Sequence, residues 1–326
     1  MRIPLVRLAS AVGLFWLVIT LTFVLVHAAP GDPAELLGGP AASAADIART
    51  RAELGLNEPL IVQYARWIGG IVSGDFGESI ASRRPVSVVL ADALPVSVYL
   101  GLLSLALTFA IGIFVGGVQA ARRGRRTDTV LTILTTSVYA APSFWLALAL
   151  VAVFTYGASR IGAPHALRLP AFGLRDPAGQ YHGFAAVVDG ARHLVLPVSV
   201  LTAIGAAGIA RYARAAFVDV LGADFVRTAR AKGARSWHLY VRHALRNALP
   251  PLVILVALSL PGVIAGSVFV ESVFALPGMG RAMLSAIASR DYPVILAATM
   301  MYAALVITAN LASDLVLPLL DPRRRE

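Results

Sequence analysis

Between Asp224 and Pro251 the chain reads D-F-V-R-T-A-R-A-K-G-A-R-S-W-H-L-Y-V-R-H-A-L-R-N-A-L-P-P, with cations at Arg227, Arg230, Lys232, Arg235, Arg242 and Arg246. Such a segment suits docking by charge and shape, not bond making. The residues that bond making needs are missing elsewhere too. No G-x-x-x-x-G-K-[ST] phosphate loop exists, because the only lysine, Lys232, follows Ala231. H-E-x-x-H and G-x-S-x-G are also absent, and the lack of cysteine excludes disulfides, thiolate catalysis and Cys-based metal centres. His238 and His243 are five apart, a poor spacing for two metal ligands on one helical face. His165, His182 and His193 read as solvated histidines of an outer segment. No catalytic residue, metal site or bound cofactor is expected.

The local signals predict a bent pair of short helices. Asp224 is a candidate N-cap for a helix running to about Lys232, and Gly233 can end it in a left-handed conformation. Ser236 can cap a second helix, on which Trp237, Tyr240, Val241, Ala244 and Leu245 form an apolar stripe. Arg235, His238, Arg242 and Arg246 take the opposite face. Pro250-Pro251 is expected to limit this helix and start a membrane span. A basic amphipathic helix also suits a membrane surface. The small residues Thr228, Ala229, Ala231 and Gly233 favour a protein partner instead, since they permit close backbone docking.

The elements that must hold this segment are membrane spans. Of 326 residues 58% are hydrophobic and 14% charged, against about 25% charged in soluble domains. Stretches able to cross about 30 Å of hydrocarbon run Leu8–Val26, Val96–Ala121, Thr129–Tyr156, Leu194–Ala210, Ala248–Val270 and Pro293–Leu317, the fourth being the shortest. Pro95 and Pro293 fall at span starts, where a missing N–H costs little. Arg2, Arg7 and Val26-His27-Ala28 resemble a secretory signal, but the apolar run of about 19 residues exceeds a signal core of about 7–15, which favours a retained helix. With the N-terminus inside, the inner segments hold 17 basic and five acidic residues and the outer ones 11 and 12. This is the positive-inside pattern. It puts both termini and the Asp224–Pro251 segment in the cytoplasm, and it accounts for the net charge of +10 without nucleic acid. The outer segments, 29–94 and 157–193, are either a cap over a vestibule or solvated connectors.

Small residues should bring spans together: Gly112 and Gly116 with Ser104 and Thr108 on the second, and Ala203, Ala207 and Gly208 on the fourth. On the third, Thr132, Thr136, Tyr139 and Ser143 recur at helical spacing around a kink at Pro142. That stripe either lines a translocation path or bonds back to its own helix. No span carries a charge near its centre, which weighs against a self-powered secondary transporter.

R-T-A-R-A-K-G followed after nine residues by His243-Ala-Leu-Arg-Asn247 resembles the EAA loop of ABC importer permeases, in the variant of the dipeptide/oligopeptide/nickel group. Pro30-Gly31-Asp32-Pro33, Gly74-Asp75-Phe76-Gly77, Glu271–Gly280, Arg290-Asp291-Tyr292-Pro293 and Leu320-Asp321-Pro322-Arg323 extend the resemblance over the whole chain. Arg227 departs from the general motif, where many such loops carry Glu. The resemblance implies an all-α membrane protein with six transmembrane helices, the type I ABC importer permease fold and cytoplasmic termini. Its parts would be an N-terminal helix (1–28), an extracytoplasmic segment (29–94), a five-helix core (95–318) with a coupling loop (218–247), and a tail (319–326). It further implies ATPase coupling through Arg227, Thr228, Ala229, Lys232, Gly233, His243, Leu245 and Asn247. The partners would be a second permease, two ATP-binding subunits that use ATP and Mg, an extracytoplasmic solute-binding protein and the lipid bilayer. Di- or oligopeptides are the implied cargo, with nickel or a glutathione-like compound as alternatives, in a bacterial or archaeal inner membrane.

Overall fold

In the computed structural model the chain is helical, and no strand is formed among the described residues, which are 2–38, 42–164, 167–179, 181–233, 239–265 and 267–320. The first half of the chain contains α1 (Arg2–Ala28), α2 (Pro33–Gly38), α3 (Ala44–Glu53), α4 (Leu60–Ser73), α5 (Val86–Ala121) and α6 (Arg126–Ala140). After these come α7 (Ser143–Val151), a π-helical turn (Ala152–Gly157), α8 (Ala158–Arg160), α9 (Phe184–Gly222) and α10 (Asp224–Ala231). A second π-helical turn (Leu239–Leu245) leads into α11 (Arg246–Ala265), α12 (Val268–Val273), α13 (Met279–Ala288) and α14 (Tyr292–Leu320). Five stretches among the described residues are long and apolar enough to span a bilayer: Ala9–Ala28, Val86–Ala121, Ser143–Arg160, Phe184–Gly222 and Tyr292–Leu311. The sixth expected span falls on α11, whose apolar part, Arg246–Leu260, is shorter.

Several span ends differ from the hydropathy. The stretch expected to be shortest, Leu194–Ala210, lies inside the 39-residue α9. Pro197 sits within α9 and Pro95 within α5, so Pro95 does not open its helix. Pro142 does break the third span: Ala141 turns extended (φ −72°, ψ 133°) and the helix restarts at Ser143. Pro250 and Pro251 lie inside α11, which continues directly from the π turn at Leu239–Leu245. The prolines therefore do not separate an amphipathic helix from a span. His193, read as a solvated loop residue, is a buried member of α9 with Nδ1 2.9 Å from the Asp189 carbonyl oxygen, whereas His182 is exposed as expected.

The chain divides into two compact units. The first comprises the chain up to Ser97 together with 264–268 and 277–311. Its core holds Val86, Leu90, Met279, Val294 and Ala298. Three of the motifs that carried the resemblance, Pro30–Pro33, Gly74–Gly77 and Arg290–Pro293, lie within it, with the Met279 end of a fourth. Asp291, 2% exposed, accepts hydrogen bonds from the Ser79 hydroxyl and from the amides of Ile80 (3.0 Å) and Ala81 (3.2 Å). Gly31, at φ +112°, lies so close to the Arg290 guanidinium that no Cβ fits between them. Asp32 accepts from the Ala34 amide at the start of α2 (2.9 Å) and pairs with Arg51 (3.2 Å). Gly74, at φ +79°, caps α4, and the Ser97 hydroxyl accepts from the Met279 amide at 2.7 Å. On the surface, Ser43 and Asp46 form a reciprocal capping box at α3. Hydrogen bonds from the Ser43 hydroxyl and amide hold the Asp46 carboxyl below the usual carboxylate range. That support is present above the unfolded carboxylate pKa and is lost as pH falls through the lowered one.

The second unit comprises Val98–Val263, Phe269–Leu276 and the chain from Ala312. Here α5 and α9 pack backbone to backbone. A Cβ at Gly112 would meet Ile209 Cβ at 2.7 Å, and one at Gly116 would meet the Ala210 carbonyl oxygen at 2.5 Å and the Arg214 nitrogen at 2.8 Å. Gly205 returns the contact against Thr108 at 2.6 Å. At Gly116 the obstacle is largely backbone, which cannot rotate away. We expect Gly116→Leu to cost about 3 kcal/mol or more, read as a lower unfolding temperature of the detergent-purified chain. Gly117→Ala should be close to neutral, because its Cβ would meet only the Phe217 ring edge at 3.4 Å.

Candidate functional site

The basic segment is rooted in the α5–α9 core. In α10 Val226 is fully buried, while Arg227, Thr228, Lys232 and Gly233 are exposed and Ala229 is half-buried. Arg227 Nη1 lies 3.4 Å from Asp224 Oδ1, a weak surface pair, and the Thr228 hydroxyl donates to the Asp224 carbonyl at 3.0 Å. The N-cap is Ala223, and Asp224 is the first helical residue, one position later than its side-chain type suggested. Its carboxylate still faces the positive end of the helix. Gly233 has φ +84° and follows the last turn of α10, the left-handed exit its type predicted.

The second limb departs from the expected stripe. A 3.6-residue period grouped Tyr240, Val241, Ala244 and Leu245, but the π turn widens the repeat. The buried positions are Leu239, Ala244, Ala248 and Leu252, spaced five, four and four apart. Ala244, Ala248 and Leu252 pack with Ala213 and Phe217 of α9 and Ala120 of α5, and the half-buried Leu245 lies against this cluster. Tyr240 reaches the Ala121 carbonyl at 3.5 Å. Asn247 is exposed on the first turn of α11. The side chain of His243, and all of Arg235, Ser236, Trp237 and His238, lie outside the described residues. The two limbs therefore leave one core, with Arg227, Arg230, Lys232 and Arg246 exposed.

A polar junction not anticipated from the sequence lies on the same core. Arg214 of α9 grips Asp128 of α6 through two parallel bonds, Nε to Oδ1 and Nη2 to Oδ2, each 2.9 Å. The Gly124 amide donates to Asp128 Oδ2 at 3.0 Å. Gln119, buried near the end of α5, donates through Nε2 to Thr132 Oγ1 at 3.2 Å. One carboxylate thus holds α6, α9 and the α5–α6 turn together. The available clue was that Asp128 is the lone acid in R-R-G-R-R-T-D.

The four stripe residues are divided by the Pro142 break. Thr132, Thr136 and Tyr139 are exposed on α6, and half-buried Ser143 opens α7. Thr132 is engaged by Gln119 of α5, and Tyr139 lies beneath Arg211, whose guanidinium carbon is 4.1 Å from the ring centroid. No cluster of metal-ligating side chains occurs among the described residues.

Several membrane-length helices define a multi-pass membrane protein, and it bears an exposed basic elbow. The chain belongs to the family of binding-protein-dependent transport system inner membrane components: that family's model matches residues 108–326 and the model of its N-terminal part matches residues 1–101. It is 38% identical to the oligopeptide transport system permease protein AppB of Bacillus subtilis, over 93% of this chain and 92% of that one. It is 36% identical to a putative peptide permease of Brucella ovis, over 99% and 98%. Identity to the glutathione transport system permease protein GsiC of Salmonella paratyphi A is 35%, over 98% and 97%. A chain of the MetNI methionine ABC transporter in inward-facing conformations matches with a TM-score of 0.52 at 18% identity, over 72% of this chain and 96% of that one, so the fold is shared. The chain is thus an ABC importer permease, the membrane component and not a catalytic one.

Asp128→Asn should leave the Arg214 cation without its counter-charge. Asp128 is buried and Arg214 about one-third exposed, so the loss should be about 2 kcal/mol, less than for a fully buried pair. Thermal unfolding checks this. The double variant Asp128→Asn/Arg214→Gln should lose less than the single one, because no uncompensated charge remains.

Proposed function

We propose that this chain is the translocating subunit of an ATP-driven peptide importer, with α10 and the Leu239–Asn247 limb acting as the coupling element. The observation that carries this is the elbow itself: Ala244 and Ala248 are buried in the α5–α9 core and Val226 is buried on α10, while Arg227, Thr228, Lys232 and Gly233 are exposed. A partner that moves the exposed face moves the spans. Two ATP-binding subunits that hydrolyse ATP with Mg would supply the motion. A second permease, similar to this one, would complete the path, and an extracytoplasmic solute-binding protein would deliver cargo. The charge asymmetry supports cytoplasmic termini and a cytoplasmic elbow in a prokaryotic inner membrane.

Thr132, Thr136, Tyr139 and Ser143 are proposed to line the path in which access alternates. The exposure of Thr132, Thr136 and Tyr139 on α6 of the single chain supports this role. Ala229, His243, Leu245 and Asn247 complete the proposed coupling set. The cargo assignment to di- or oligopeptides rests on relatives of nearly equal length named for peptide transport. Glutathione, itself a tripeptide, is the second assignment, favoured by the equally full-length match to GsiC.

Two measurements test this. In cells whose peptide uptake depends on this chain, labelled di- and oligopeptides should accumulate, and an excess of glutathione or nickel should not displace them; displacement by either reassigns the cargo. Gly233→Val should insert normally but lose at least tenfold in uptake, because a β-branched residue resists φ +84°. Gly233→Asn, which tolerates that conformation, should keep the backbone course. Wild-type uptake by the Val variant would remove the elbow from the coupling mechanism.

A further inference from the structure

Segment 29–94 is not all solvated connector. In α4 the Tyr64 hydroxyl lies 2.7 Å from Thr20 Oγ1, Tyr64 meets Phe23 edge-on at 5.1 Å, and Trp67 stacks on Phe23 at 5.6 Å. Thr20 lies eight residues inside the end of the span Ala9–Ala28, which is about 12 Å of helix. α4 is therefore seated against α1 at membrane depth. Its other face agrees: Ile61 and Val72 are 72% and 82% exposed, with Ala65 and Gly69 between them. Water would disfavour that face and hydrocarbon would not.

Beside α4, where α1 ends and α14 begins, is a cavity of about 530 Å³, a size common for sites of small ligands. Phe23, Trp67, Ile80, Tyr292 and Leu296 contribute its apolar wall. Its charged lining is Glu53, Asp75, Glu78 and Arg66. Arg66 already pairs with Glu58 at 2.6 Å, so acid prevails at the rim. An apolar wall at acyl-chain depth beneath an acidic rim at the span ends complements a lipid whose headgroup carries a cation.

We propose that this cavity binds one aminophospholipid of the bilayer, with an acyl chain against Phe23 and Trp67 and the headgroup ammonium at Asp75 and Glu78. Lipids with only anionic headgroups meet repulsion at the same rim. The site is independent of the cargo and of the elbow.

The test is native mass spectrometry of the complete transporter, purified from its own membrane and titrated with phosphatidylethanolamine or phosphatidylglycerol. Wild type should retain phosphatidylethanolamine at least fivefold over phosphatidylglycerol. Asp75→Asn/Glu78→Gln, at two exposed positions, should bring that preference toward unity without loss of folding. Trp67→Ala should lower retention of both lipids. Equal retention by wild type, or an unchanged preference in the double variant, overturns the proposal. So does loss of labelled dipeptide binding in the double variant with lipid retention intact, which makes the rim a peptide site. Retention of neither lipid by the complete transporter also overturns it.

Discussion

No side chain fits where α5 crosses α9. At Gly112 and Gly116 the neighbours of a hypothetical Cβ include the carbonyl oxygens of Ala206 and Ala210, and at Gly205 the intruder is Thr108 of α5. In hydrocarbon the apolar surfaces of two helices gain little by leaving lipid, so close van der Waals contact and polar bonds must hold them. The three glycines make that contact possible. Three further elements of the second unit are fastened to this pair: α6 by Asp128 to Arg214, and the Leu239–Leu245 turn and α11 by Ala244, Ala248 and Leu252 on Ala213 and Phe217.

The length of α9 follows from the same arrangement. Thirty-nine residues rise about 58 Å, well beyond about 30 Å of hydrocarbon. The excess carries Arg211 and Arg214 on one side and Asp189, Arg192 and His193 on the other. Within one helix, then, the Gly205 contact, the Arg214 grip and the exit to α10 at Ala223 are connected by an unbroken ladder of backbone bonds. Pro197 removes one donor without ending it. The α10 elbow is attached to a long rigid rod, and at its other limb to α11, so a displacement of its exposed face is not absorbed locally.

The sequence made some of this legible and not the rest, for identifiable reasons. Hydropathy registers the part of a helix that sits in lipid, so it found Leu194–Ala210 and missed the polar ends of α9. Local chemistry read well where one residue decides: Pro142 breaks the third span and Gly233 takes a positive φ. It failed where a neighbouring element decides. Ala244 is buried as the stripe required, but the π turn at Leu239–Leu245 also buries Leu239, which a 3.6-residue template does not place on that face. Asp128 was visible only as a charge beside a span, because its partner is 86 residues away. The residues chosen for coupling were placed by resemblance, and the geometry adds which of them are exposed and which, like Leu245, are packed inward.

The motifs behind the resemblance separate into two physical kinds. Gly31, Asp32, Gly74, Arg290 and Asp291 belong to turns and contacts of the first unit, and Asp291 is almost fully buried while it satisfies two backbone amides and a hydroxyl. Such a carboxylate is bound up in holding a loop, and a buried acceptor left unmade there would cost more than the bond contributes. R-T-A-R-A-K-G differs: its polar members are exposed, and only Val226 just ahead of it is anchored. The acid in the first setting holds the fold, whereas the basic residues of the second are left uncovered by the chain itself. The separation explains how polar motifs of one membrane component can have two different physical origins.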